Sequence, residues 1–136
     1  MIEPSFINPE DWPRPRGYAH AVAATGQVIA LAGQVGWDPR TQEFASDDFV
    51  AQVARALENI TTVLAAAGAT PRDVVRLTWY ITDRAAYLQN TKRLGEVYRS
   101  VFGQHFPAMS VLFVAGLIEP RAQVEIEATA VIPELV

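Results

Sequence analysis

The strongest pattern along the chain is helical. Over 47–67, Phe49, Val53, Ala56, Leu57, Ile60, Val63, Leu64 and Ala67 recur at i, i+3 and i+4, with Gln52, Arg55 and Asn59 opposite. Ser46 is placed to cap this helix, Asp47 and Asp48 suit the positive end of its dipole, and Gly68 suits the first position past its end. A helix apolar on one face packs on a sheet. Thr70-Pro71-Arg72-Asp73 then turns the chain into a strand over 74–82, where Val75, Leu77, Trp79 and Ile81 alternate with Arg76, Thr78, Tyr80 and Thr82. A second helix is predicted over 84–102, with Leu88, Leu94, Val97, Val101 and Phe102 inward and Gly103 as its stop.

Two further strands follow. The run 110–115 is apolar on both faces, as in a strand buried on two sides. The run 123–132 alternates: Val124, Ile126, Ala128, Ala130 and Ile132 against Gln123, Glu125, Glu127 and Thr129. Upstream, 1–15 carries Pro4, Pro9, Pro13 and Pro15 and reads as an extended arm. Small apolar residues up to Thr25, then Gly26, then β-prone sequence to Gly33 read as a hairpin turning at Thr25-Gly26. Asp38-Pro39-Arg40-Thr41 is another turn. The fold class is α+β: a mixed sheet with two helices on one face. No further helix is available for the opposite face, so self-association should bury it.

The 136 residues suit a single domain over 1–136, with no repeat and no Gly/Ser-rich linker to divide it. Half are apolar, which excludes disorder of the whole chain. Eleven basic against fifteen acidic residues give a net charge of −4, and the arginines are scattered. Nucleic acid is therefore not an expected partner, since it calls for a basic stripe. Cysteine is absent, which removes disulfides, thiolate catalysis and Cys-ligated zinc together. The two histidines, His20 and His105, have no metal-ligand spacing, so no metal site is expected. The arm lacks the apolar core of a signal peptide, and no run approaches the roughly 18 apolar residues that span a bilayer. The expectation is a cytoplasmic protein without a membrane partner, acting on a small molecule.

An ordered set of segments then narrows the reading. These are Gly17-Tyr18-Ala19-His20-Ala21, Ala32-Gly33-Gln34-Val35, Gln52 with Ala56-Leu57-Glu58-Asn59-Ile60, and Ala66-Ala67-Gly68. Asp73-Val74-Val75, Phe106-Pro107-Ala108-Met109-Ser110 and Val124-Glu125-Ile126-Glu127-Ala128-Thr129-Ala130 complete it. In this order the chain resembles the RidA/YjgF family, also called the liver perchloric-acid-soluble protein family, from about Gly17 to Ile132. The resemblance implies a chorismate-mutase-like fold, a homotrimer and ligand clefts between subunits. It also implies cofactor-independent hydrolysis of reactive enamines and imines, such as 2-aminoacrylate, to a keto acid and ammonia. A non-catalytic small-molecule-binding trimer is the alternative. Ribonuclease activity, attached to some relatives, is disfavoured by the missing basic groove and histidine pair.

The resemblance also singles out site residues. Glu125 matches the acidic residue that positions the attacking water, and a carboxylate in a cleft can shuttle a proton. Tyr18, Ala32 and Gly33 match ligand-contacting positions; Gly33 can present a backbone N–H to a ligand oxygen. Relatives grip the substrate carboxylate with an arginine in a Pro-Ala-Arg-Ser segment, because a planar guanidinium makes two parallel hydrogen bonds to it. Here that position is Met109, which has no donor. A frequent Cys two positions later is Val111, and an Asn in an Asn-x-x-Tyr segment is Gly95. Met109 and Val111 should make the pocket greasier and favour a more apolar ligand. Arg14, Arg16 and Arg121 are candidates for a replacement grip. Glu127 is read as a solvated carboxylate on an edge strand, and His20 as a satisfied polar side chain.

Overall fold

A computed structural model describes residues 3–134; Met1 and Ile2 of the arm lie outside the described residues. The elements in chain order are β1 (Ser5–Ile7), β2 (Ala21–Ala23), β3 (Gly26–Val35), α1 (Phe49–Ala66), a 3-10 turn (Pro71–Asp73), β4 (Val74–Ile81), α2 (Arg84–Leu88), α3 (Thr91–Phe102), β5 (Ala108–Phe113) and β6 (Val124–Pro133). The main sheet has the order β3-β6-β4-β5, with β4 and β5 parallel and the other pairs antiparallel. This is the mixed α+β arrangement the pattern called for. The last strand in sequence is interior, not an edge, pairing with β3 on one side and β4 on the other.

Strands and helices sort their side chains between one buried and one open face. Val124, Ile126, Ala128 and Ala130 of β6 join Leu77, Trp79 and Ile81 of β4 and Val53, Leu57, Ile60 and Leu64 of α1 in the core. Burying each of the larger of these side chains stabilises the fold by roughly 1.5–3 kcal/mol. Glu125, Glu127 and Thr129 alternate with them and are only half-buried. Strand β5 is an edge, and its two-sided apolar run leaves Leu112 and Phe113 more than 40 % exposed in the single chain.

Several local expectations are corrected. Strands β2 and β3 form no hairpin: β2 pairs with β1, and β3 pairs with β6. A two-residue type I′ turn needs positive φ at both central residues, and at Thr25-Gly26 only Gly26 has it. Gly26 instead lies so close to the Ile132 carbonyl that a Cβ would collide with it. The second helix is broken at Gln89-Asn90 into α2 and α3, where the Asn90 amide donates to Ala86 O at 2.7 Å and satisfies the end of α2. Leu88, before the break, is 53 % exposed rather than inward. In β4 a bulge between Val74 and Arg76 turns Val74 inward in place of Val75. The cap of α1 is Asp48, whose carboxylate accepts from Ala51 N at 2.9 Å, while the Ser46 hydroxyl accepts from Asp48 N.

The largest correction lies on α1. Val63 is exposed, whereas Gln52 and Asn59, read as solvent-facing, are 1 % and 3 % exposed. Each holds a loop through the backbone. The Gln52 amide donates to Ser46 O and Arg121 O, both at 3.1 Å, and its carbonyl accepts from Gln123 N at 2.9 Å. The Asn59 amide donates to Val35 O at 3.1 Å and Trp37 O at 2.9 Å. Buried backbone groups in loops need partners, and these two amides supply them. Gln52 thereby sets the entry into β6, two residues before Glu125.

Candidate functional site

The helix-side face of β5 floors a cleft of about 510 Å³. Met109 and Val111 point into it from β5, Trp79 from β4 beside them, and Leu94, Gly95, Tyr98 and Arg99 from α3 above. Tyr87 of α2 and the 16–18 segment close its sides. That segment is held by Ala19, which donates to Pro107 O at 3.0 Å and bridges to Ala108. The wall is strongly aromatic. Tyr98 stacks on Phe102 and Phe106 with ring centroids 4.8 and 5.5 Å apart, and its hydroxyl donates to His105 O at 2.6 Å. Burial pushes the Tyr98 and Tyr87 hydroxyls upward, so both stay protonated donors. The Trp79 indole N–H is buried without an acceptor among the described residues.

A second group of residues sits elsewhere. The pairing of β3 with β6 slips between Leu31 and Gln34, so Ala32 and Gly33 bulge away from the ladder. A Cβ on Gly33 would lie 2.5 Å from Glu125 Oε2 and 2.7 Å from its Cδ and Cγ. The missing side chain is therefore the space the Glu125 carboxylate fills, which is why glycine stands there. Tyr80, opposite Glu125 on β4, donates its hydroxyl to Glu127 at 2.6 Å. That hydrogen bond, then burial and the charges of Glu127 and Glu125, push the Tyr80 hydroxyl up against a small opposing effect of Arg76. Glu127 is thus a bonded partner on an interior strand, not a free carboxylate on an edge.

The predicted site residues therefore fall into two sets within one chain. Tyr18, Met109 and Val111 meet in the cleft, while Ala32, Gly33 and Glu125 meet on the open face of the sheet. The strands carrying Met109 and Glu125 are two sheet positions apart, roughly 9–10 Å, and the side chains leave opposite faces. His20 is exposed, edge-on to Trp12 and Tyr18 at 4.9 and 5.3 Å. Of the arginines considered for a grip, Arg121 is paired with Asp47 at 2.9 Å away from the cleft. Arg14 lines a neighbouring cleft, and Arg16 lines both. Arg99 of α3 was not among them. The available signal was its spacing, one helical turn after Gly95, already a departure from the family pattern. Among the described residues no three His, Cys, Asp or Glu side chains gather where one metal ion could be held, and no helix is long and apolar enough to cross a membrane.

The chain is thus of the mixed α+β class, with an aromatic cleft on the helix-side face of its edge strand and a carboxylate packed on a glycine bulge. The chain belongs to the RidA/YjgF family, whose endoribonuclease L-PSP family description matches residues 12–132. It is 36 % identical over 122 residues to a RutC family protein of Pyrococcus horikoshii, covering 89 % of this chain and 92 % of that one. It is 31 % identical over 115 residues to human 2-iminobutanoate/2-iminopropanoate deaminase, covering 84 % and 79 %. A Rid-family protein of Yersinia pestis has a similar structure, with a TM-score of 0.86 at 34 % identity over 96 % of this chain and all of that one.

Proposed function

We propose that this chain is a cofactor-independent hydrolase of a reactive imine or enamine in the cytoplasm, acting as a homotrimer with each site built between two subunits. The observation that carries the reading is the division of the site residues into two surface half-sites, each incomplete alone. A second copy laying its Gly33–Glu125 pair beside the first copy's cleft joins them. The exposed Leu112 and Phe113 on edge strand β5, and Val28 at 66 % exposed, supply apolar surface for that contact. Deaminase relatives at about 31–34 % identity support the chemistry.

The reaction needs little from the protein. An enamine first tautomerises to its imine. Glu125 takes a proton from water as the water oxygen bonds to the imine carbon, and the C=N electrons move to nitrogen. The proton passes to that nitrogen, giving a tetrahedral carbon that bears a hydroxyl and an amino group. Glu125 then carries the hydroxyl proton to the nitrogen, the C–N bond breaks as the C=O bond forms, and ammonia leaves behind a carbonyl. Tyr18 lines the cleft side and Gly33 offers a backbone N–H to a ligand oxygen. General acid–base assistance of this kind contributes about 10²–10⁴-fold.

The test is ammonia release from a freshly generated imine. Glu125→Gln should abolish it, because an amide keeps the shape but cannot accept the proton. Glu127→Gln should leave it nearly intact, since its amide oxygen still accepts from Tyr80. Analytical ultracentrifugation of both variants should give about three times 14.9 kDa. A monomer would remove any site between subunits. A wild-type trimer that binds but releases no ammonia would favour the non-catalytic binding protein.

A further inference from the structure

The cleft that lacks the family arginine at Met109 holds two other guanidinium groups and no carboxylate. Arg99 and Arg16 both line it, and neither stands within ion-pair reach of an Asp or Glu among the described residues. Arg55, Arg93 and Arg121, by contrast, are each paired. Arg99 is folded back along α3: a Cβ on Gly95 would lie 3.0 Å from its Nη1 and 3.7 Å from Cζ and Nη2. Long helical side chains lean toward the N-terminus and cover the residue four positions before them. Glycine in the middle of a helix weakens it, so its presence at 95 gains nothing locally. What it provides is the flat space over which the guanidinium lies.

We infer that Arg99, seated over Gly95 and seconded by Arg16, is the anion grip of this cleft, and that the ligand is a carboxylate carried on an aromatic or bulky apolar body. The inference rests on the cleft being the ligand site and extends it to the ligand's class. The charge moves from the sheet in relatives, at the position of Met109, to the helix opposite. Met109, Val111, Trp79 and Tyr98 then face the ligand's body. A fork of donors on one wall and an aromatic floor on the other suits an amphiphilic anion.

The probe is 3-phenylpropanoate, titrated calorimetrically against 3-phenylpropanamide, which has the same shape without charge, and against acetate, which has the charge without the body. Wild type should bind the acid at least tenfold tighter than either. Arg99→Gln should weaken the acid at least tenfold and leave the amide unchanged, with its melting curve checked for an intact fold. Arg84→Gln should change nothing, because Arg84 lies over Phe113 outside the cleft. Equal binding of acid and amide by wild type, an Arg99→Gln protein that keeps its affinity, or a loss confined to Arg16→Gln would each overturn the assignment. None of these probes is an imine or enamine, so binding is separated from the proposed catalysis. A protein that grips the acid through Arg99 yet releases no ammonia from imines sinks the hydrolase reading alone.

Discussion

Replacing Gln52 with leucine tests whether the buried amide of α1 holds the approach to the site. The substitution keeps the volume but removes one acceptor and both donors. Ser46 O, Arg121 O and Gln123 N lose their partner at a position that is 1 % exposed. An unsatisfied buried polar group costs roughly 1–3 kcal/mol, so three lost contacts cost about 3 kcal/mol even at the lower end. Burying leucine in place of the amide returns about 1 kcal/mol. The expected net loss is thus about 2 kcal/mol or more, a large part of the roughly 5–15 kcal/mol of a typical fold. The assay is urea unfolding at fixed protein concentration, because self-association would shift the midpoint. With a slope of about 1–3 kcal/mol per molar, the midpoint should fall by roughly 0.7–2 M. A second readout is ammonia release, which should drop because Gln123 leads into Glu125. A midpoint within about 0.2 M of wild type would show that water or a shifted loop satisfies those groups, and the argument would fail.

Asp48→Ala should cost about 1 kcal/mol as an N-cap loss. The Ala51 N–H and then Arg93 hold the Asp48 carboxyl below its usual value, so its contribution is present above about pH 3.9 and fades as pH falls further. Melting wild type and variant side by side from pH 7 to pH 2 should therefore show their difference closing only in acid. Gly95→Ala should raise the melting temperature by roughly 2–4 °C, as a helix-interior glycine is worth about 1 kcal/mol less than alanine. Its Cβ meets only the movable end of Arg99, so folding survives while 3-phenylpropanoate binding weakens. A variant neither more stable nor weaker in binding would refute both halves.

Much of the fold was legible in the residues because periodicity is local. The 3.6-residue recurrence marked α1 and the two-residue alternation marked β6, each within two residues of its observed ends. The resemblance, carried by short ordered segments, named Glu125, Gly33, Tyr18, Met109 and Val111 as candidates. Pairing is not local. Whether β3 meets β2 or β6 depends on which antiparallel partner lies alongside once the core collapses, and a Thr-Gly step could not decide it. Nor could polarity alone show that Gln52 and Asn59 are buried, since an amide satisfied by loop carbonyls looks in sequence like one facing water. Likewise, nothing along the chain says that Glu125 and Met109 leave opposite faces of the sheet, or that Arg99 folds back over Gly95 into the cleft. Those facts belong to register and side-chain direction, which only packed neighbours determine.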